Sequence, residues 1–247
     1  MTLPGIPSDD EDGVLATGRG DIGTLFVSMA RRHPDGRDAD YLRWHTLDHR
    51  PEQHRLAGVR ASLRLVSTPA CRAARAHSEA PFDDIDHVMT YFFTDQSGLT
   101  PFLELSSALG RADRKLPLLP PVQRGVYAVA HKLAAPRIKV GTDVLPWWPA
   151  TGVYLVLESG GPPPTELVDV EGIGGMWSVA SQDVDERLAS AQAGQLLTYC
   201  FLDDDPVAVA ERLRPVLTAR WREEDVEPLL AGPFHPVVSY QWDRYVP

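Results

Sequence analysis

The sequence predicts an α+β protein made of two tandem ferredoxin-like repeats with antiparallel sheets, the second lacking its first helix. Over residues 22–133, apolar runs and amphipathic segments follow the order strand, helix, strand, strand, helix, strand, which is the split βαβ unit. After residue 150 that grammar returns. GVYLVLES answers GTLFVSMA, VEGIGGMWSVAS answers LAGVRASLRLVS, and QLLTYCFLDDD answers HVMTYFFTDQS; the helical DPVAVAERLRPVLTARW and the closing FHPVVSYQWDRYV complete the series. Between Gly160 and Glu171 there is only GPPPTELVDV, whose three prolines leave no room for a first helix. The expected division is a disordered tail at 1–20, a first repeat with a pocket at 21–145, and a second, degenerate repeat at 146–247.

The elements follow in order. Residues 1–20 mix Pro, Gly and acids, as in PSDDEDG, and offer too little apolar surface to offset their ordering entropy. TLFVSMA is a buried strand, and ARRHPDGRDAD a polar turn in which Asp38 or Asp40 can cap the next helix. That helix, Tyr41 to Leu56, is kinked or restarted at Pro51 and stopped at Gly58. VRASLRLV alternates as a half-buried strand, and residues 67–84 read as an irregular loop. In DHVMTYFFTD, His87, Met89, Tyr91 and Phe93 share one face, with Val88, Thr90 and Phe92 on the other. A capped helix over Thr100 to Leu109 leads to VQRGVYAVAHKL, where Tyr127, Val129 and His131 alternate with Val126, Ala128 and Ala130. Pro146-Trp147-Trp148-Pro149 marks the junction, its rings expected to pack against both repeats.

Composition bounds the function. A 247-residue chain with 43% hydrophobic and 23% charged residues is that of an ordinary globular protein. A formal net charge of -10 argues against nucleic acid or an anionic membrane as partner, since both need a basic footprint. Two cysteines, Cys71 and Cys200, are too few for a disulfide framework or a thiolate metal site. With no apolar run of about 18 residues and an acidic N-terminal segment, the expected location is the cytoplasm, without membrane contact. A nucleophile elbow and a phosphate loop are both missing.

The candidate site lies on the first helix. At roughly 100° per residue, Tyr41, Leu42, Trp44, His45, Asp48, His49, Glu52 and Leu56 fall on one side, and Arg43, Thr46, Arg50, Gln53 and His54 on the other. The apolar members turn the first side inward, carrying four ionisable groups with them. Burying these is costly unless they are paired, wet or neutral. Either they wall a pocket, or Asp48 and Glu52 reach out from the helix margin while the histidines are satisfied core residues. His45 and His49, one turn apart, have the spacing of helical metal ligands, but no HExxH pattern or third spaced ligand accompanies them.

Trp44, His49, Pro51 and Glu52, followed by Leu56-Ala57-Gly58-Val59 and an Arg-containing strand, resemble the W-x(4)-H-x-P-E segment of EthD-like proteins, a branch of the dimeric α+β-barrel superfamily. His45 and Thr46 depart from that family's more common Tyr-Asp pair. The resemblance implies an intrachain barrel, a fused pseudo-dimer that is monomeric or a homodimer, with His49 in a cleft between sheet and helices. It also implies relatives as varied as isomerases, cyclases, decarboxylases, cofactor-free monooxygenases and haem peroxidases, among which fold does not choose.

The expected function is a cofactor-independent enzyme using acid/base chemistry on a hydrophobic cyclic or carbonyl-containing metabolite, of isomerase, cyclase, dehydratase or decarboxylase type. His49 is the expected acid/base, with Asp48 or Glu52 orienting or tuning it and Asp48 and His45 as catalytic partners, because the ordinary imidazole pKa lies near neutrality. Trp44, Glu52, His87, Tyr91, Tyr127 and His131 are expected to contact substrate, with no metal and no cofactor. The alternatives are a non-catalytic ligand-binding protein and a haem-dependent, metal-dependent or cofactor-free oxygenase.

Overall fold

The computed structural model describes residues 4–10, 22–184, 189–223 and 225–247. The rest of the expected tail lies outside the described residues. Residues 4–10 lie against the junction between the halves: Ser8 donates its N–H to the Lys139 carbonyl at 2.9 Å, and the Asp9 carboxylate accepts from the Thr142 N–H at 2.9 Å.

Eight strands form one antiparallel ring. In the first half, β1 (Thr24–Ala30), β2 (Val59–Val66), β4 (His87–Phe93) and β5 (Pro121–Ala134) stand in the order β2-β4-β1-β5. The second half repeats that order as β7-β8-β6-β9, with β6 (Gly152–Ser159), β7 (Ile173–Ser181), β8 (Gln195–Leu202) and β9 (Glu227–Pro236). Two seams join the halves. The first runs along β5 and β7 from Tyr127 opposite Ser181 to Ala134 opposite Gly175, while β2 and β9 meet only at Leu65 opposite Pro236 and Val66 opposite His235. The segment expected to be an irregular loop holds a helical turn, α3 (Pro69–Ala73), started by the Thr68 hydroxyl, and a short strand, β3 (His77–Ser78), that pairs with β9.

β4, β6, β7 and β8 are buried on both faces, which is why their sequences are apolar nearly throughout, whereas β2 and β5 keep exposed or half-buried polar positions. Inside the ring lie Leu25, Val27, Val88, Phe92, Leu155, Trp177, Val179, Leu197 and Phe201. Outside it, α4 (Leu99–Arg111) packs Leu99 and Phe102 on Met89, Tyr91, Phe93 and Val126. On the second half, α5 (Pro206–Glu223) sets Val209, Ala210, Leu213 and Leu217 against Tyr154, Met176 and Cys200. Between β6 and β7 there is only a 3-10 turn, Thr165–Asp169, so this outer face has no counterpart of the first helix. At the junction the two tryptophans part company: Trp148 packs on the core and over Gly174, whereas Trp147 is 50% exposed.

The first helix is a composite of α1 (Asp38–Trp44), a π-turn (His45–His49) and α2 (Arg50–His54). Pro51 accounts for the π-turn. It has no N–H to donate, and in a straight helix its ring would strike the carbonyl four residues back; the wider turn, with the Arg50 N–H bonded to the His45 carbonyl, relieves that clash. Neither Asp38 nor Asp40 caps this helix: the cap position is Arg37, and the buried Asp38 accepts from the His33 N–H at 2.7 Å instead.

The helix is also rolled relative to the face expected from its sequence. Thr46 and Gln53, assigned to the solvated side, are buried, while Asp48 and Glu52 sit at the rim. Desolvation drives the roll, because two carboxylates are far costlier to bury than a hydroxyl and an amide. At the rim both carboxylates reach Arg114, at 3.2 Å from Asp48 and 2.9 Å from Glu52.

Candidate functional site

The outer face of the first sheet and its two helices enclose a cleft of about 220 Å³. Its floor is laid by strand register. Arg64 pairs with Met89, Met89 with Ser28, and Ser28 with Arg124, so one cross-strand row of side chains faces the helices. The next row contains Tyr91 and Phe26. Tyr41, His45 and His49 form one wall, Phe102, Leu103, Ser106 and Ser107 of α4 the other, and Lys115 and Leu118 the mouth.

The histidines are tightly set among aromatic rings. The Trp44 indole stacks on His49, with centroids 5.2 Å apart, and Tyr41 stacks on His45 at 6.2 Å. His45 Nε2 lies 3.4 Å from the Tyr91 hydroxyl, and His49 Nε2 lies 3.5 Å from Gln53 Nε2. The Nδ1 atoms of both imidazoles are buried without a partner. Burial pushes the His49 pKa down to about 4, helped by the Lys115 charge and opposed by Asp48. His45 is held well below its ordinary value, by burial first and then by Arg64 and His49. Both imidazoles are therefore neutral near pH 7. The Tyr91 hydroxyl, pushed upward by burial, keeps its proton.

The expected site residues separate into three groups. His45, His49 and Tyr91 line the cleft, and Trp44 supports it by stacking on His49 and donating its Nε1–H to the Arg114 carbonyl at 3.1 Å. Asp48 and Glu52 are engaged by Arg114 at the rim, with no hydrogen bond to His49 among the described contacts; of the expected orienting or tuning, what remains is the Asp48 charge, which opposes the lowering of the His49 pKa.

The third group stands elsewhere. His87 is fully buried behind the cleft, its Nε2–H donated to Asp38 Oδ1 at 2.8 Å. Burial lowers its pKa to about 4 despite that bond, while hydrogen bonds from His87 and His33 outweigh burial and keep Asp38 a carboxylate. Tyr127 points into the ring with the interior core, where its hydroxyl accepts from Gln123 at 3.1 Å. His131 lies past a register shift in β5, opposite Ser178 and away from the cleft. For β5 the face expected to line a pocket is the wrong one: the neighbours Val126 and Tyr127 point to opposite faces and both are fully buried, so burial alone does not tell the faces apart.

Sequence reasoning missed Ser28, Arg64, Lys115 and Arg124. The alternation of Arg60, Ser62 and Arg64 along β2 reads as a solvent face, whereas Arg64 lies beneath the helix at 5% exposure. The available signal was the helix itself, whose buried histidines call for a polar floor.

A metal reading fits this cleft poorly. Among the described residues no group of three His, Cys, Asp or Glu is placed to hold a metal ion. A dry cavity of about 150 Å³ takes a benzene, so about 220 Å³ is the size of one substituted ring.

No protein-family profile matches the chain, and no curated protein matches it in sequence. Among solved structures, a candidate chlorite dismutase aligns over 88% of this chain and 95% of its own, with a TM-score of 0.50 and 12% identity. An anthrone oxidase-like protein aligns over 88% and 92%, with a TM-score of 0.48 and 12% identity. A dye-decolorizing protein from V. cholerae aligns over 87% and 93%, with a TM-score of 0.45 and 11% identity. At such identity a likeness concerns the fold alone, and here it agrees with the strand order of the ring: the chain has the dimeric α+β-barrel fold.

Proposed function

We propose that the chain is a cofactor-independent small-molecule enzyme of the EthD-like kind, performing acid/base chemistry beside a carbonyl of a hydrophobic cyclic metabolite. Its reaction would be of isomerase, cyclase, dehydratase or decarboxylase type. The observation that carries this reading is the pair of buried, neutral imidazoles on one cleft, each with an unpartnered ring nitrogen. Buried polar atoms without partners are rare in folded proteins and cluster where function demands them. His49 is the proton acceptor and donor, held flat by Trp44. An imidazole with a pKa near 4 is a weak base in the empty cleft, but negative charge forming on the substrate raises it as the proton moves. In this reading Tyr91, 3.4 Å from His45 Nε2, donates to the developing oxyanion, and the Arg64 charge favours the same state.

The identical strand order of the two halves supports reading the chain as a fused pseudo-dimer that closes its barrel alone, with one substrate cleft per chain. The function is tested by carbon-bound hydrogen exchange. In D2O, 2-tetralone and cyclohexane-1,3-dione should exchange faster with the protein than in buffer, and His49→Ala should lose roughly 10²- to 10⁴-fold of that rate. Binding of these ketones with exchange no faster than background would replace the enzyme with a ligand-binding protein.

A further inference from the structure

The cleft holds a cation with no anion. Arg64 is 5% exposed, and its Nε and Nη2 make no hydrogen bond. The other buried arginines are employed differently: Arg75 donates through Nη1 to the Asp83 carbonyl and through Nη2 to Ser67 and the Ile85 carbonyl, and Arg220 is bonded to Glu158. A guanidinium does not shed its proton in a protein, so burial without a partner leaves a charge to be compensated.

Burial is the dominant influence on this guanidinium; the Tyr41 hydroxyl and the Asp38 charge favour its charged form only in part, and no carboxylate meets the Nε–Nη2 edge. Among the described residues lining the cleft there is no carboxylate. Asp38 Oδ1 already accepts from His87 and His33, and Asp48 and Glu52 are paired with Arg114. Lys115 and Arg124, also on the cleft, add positive charge.

The two free nitrogens share one edge of the guanidinium. Nε–H and Nη2–H point the same way, and that edge matches the two oxygens of a carboxylate with parallel hydrogen bonds. The Tyr41 ring lies against the guanidinium with its centroid 5.3 Å from Cζ, and the free edge is closed off from solvent, so an entering carboxylate must displace what covers it. Phe26, Phe102 and Leu103 supply apolar walls, and the volume suits one substituted ring.

Resting on the reading of the cleft as the substrate site, we propose that its substrate is a carboxylic acid on a single hydrophobic ring, gripped as the carboxylate by the Nε–Nη2 edge of Arg64. The planar fork and apolar walls favour this over a bare inorganic anion. In this arrangement Arg64 sets substrate specificity, and His49 remains the proton carrier.

Calorimetric titration of the full chain at pH 7 with benzoate, benzamide, acetate and inorganic phosphate tests it. Benzoate should bind at least about tenfold tighter than benzamide, and tighter than acetate or phosphate. The benzoate preference should fall to near unity in Arg64→Met and survive in His49→Ala. Equal binding of benzoate and benzamide, no benzoate binding at about 10 mM, tighter binding of phosphate than benzoate, or a preference that persists in Arg64→Met would overturn the proposal. Should Arg64→Met fail to fold, Arg64→Lys keeps the charge without the fork and must weaken the preference. These titrations read binding alone, so a protein that prefers benzoate and turns nothing over would refute the enzyme while sustaining the carboxylate site.

Discussion

The Trp44 indole lies over the His49 imidazole, 28° from parallel with centroids 5.2 Å apart, and is itself anchored through Nε1–H to the Arg114 carbonyl. Orientation of the proposed proton carrier thus comes from a ring and not from a carboxylate. His49→Ala should abolish most turnover, by roughly 10²- to 10⁴-fold, while the melting temperature moves little, because a poorly satisfied buried polar group leaves with the side chain. Trp44→Phe, which keeps a stacking ring, should retain more activity than Trp44→Ala. Asp48→Asn should cost far less than His49→Ala. Steady-state kinetics and thermal melts of the four variants check this order, and a strongly destabilised but fully active His49→Ala protein would contradict it.

Stability should depend on pH in a defined window. The folded-state pKa values of His49 and His87 are near 4, His45 is also depressed, and an unfolded imidazole titrates near 6.5. Between these values the unfolded chain binds the extra protons, so stability is fully present above about pH 6.5 and falls as pH drops toward about 4. The loss should be on the order of a few kcal/mol in total. Urea unfolding at several pH values measures it, and His49→Gln should give a shallower slope.

The second half contains a buried ion pair under α5. The side chains of Arg220 and Glu158 are 2% and 1% exposed, and Glu158 accepts from Arg220 Nε at 3.1 Å and from the Trp221 indole at 2.7 Å. Removing one partner strands a charge, so Arg220→Met should destabilise by about 3–5 kcal/mol. Arg220→Met combined with Glu158→Leu should recover much of that loss, as read by chemical denaturation of the double variant.

Gly125 makes room for a ring. A Cβ there would collide with the Tyr127 ring, which is fully buried and fixed by Gln123. Gly125→Ala should therefore destabilise by about 1–3 kcal/mol, as overpacking in a filled core does. Gly125→Ala combined with Tyr127→Leu should be less destabilised than additivity predicts.

The order of elements was legible because strand and helix periods differ, and the alternation of Val88, Thr90 and Phe92 against Met89, Tyr91 and Phe93 survives intact in β4. Which alternate face meets the helices was not, since both are apolar; Tyr127 illustrates the ambiguity. The histidines of the cleft were legible from their helical face. Arg64 was hidden because a polar residue on an alternating strand looks the same whether water or a helix covers it. The place of Asp48 and Glu52 depended on a distant cation, Arg114, which only the fold brings near.

The two four-stranded halves belong to one polypeptide, and among the described residues only the first carries a histidine-bearing helix on its outer face. Where identical subunits close such a ring, every substitution appears twice, and a pocket refined on one side must be tolerated on the other. In a single chain that constraint is lifted: a substitution on the outer face under α5 leaves the histidine-bearing face untouched, so either half can change while the other keeps the ring closed and filled.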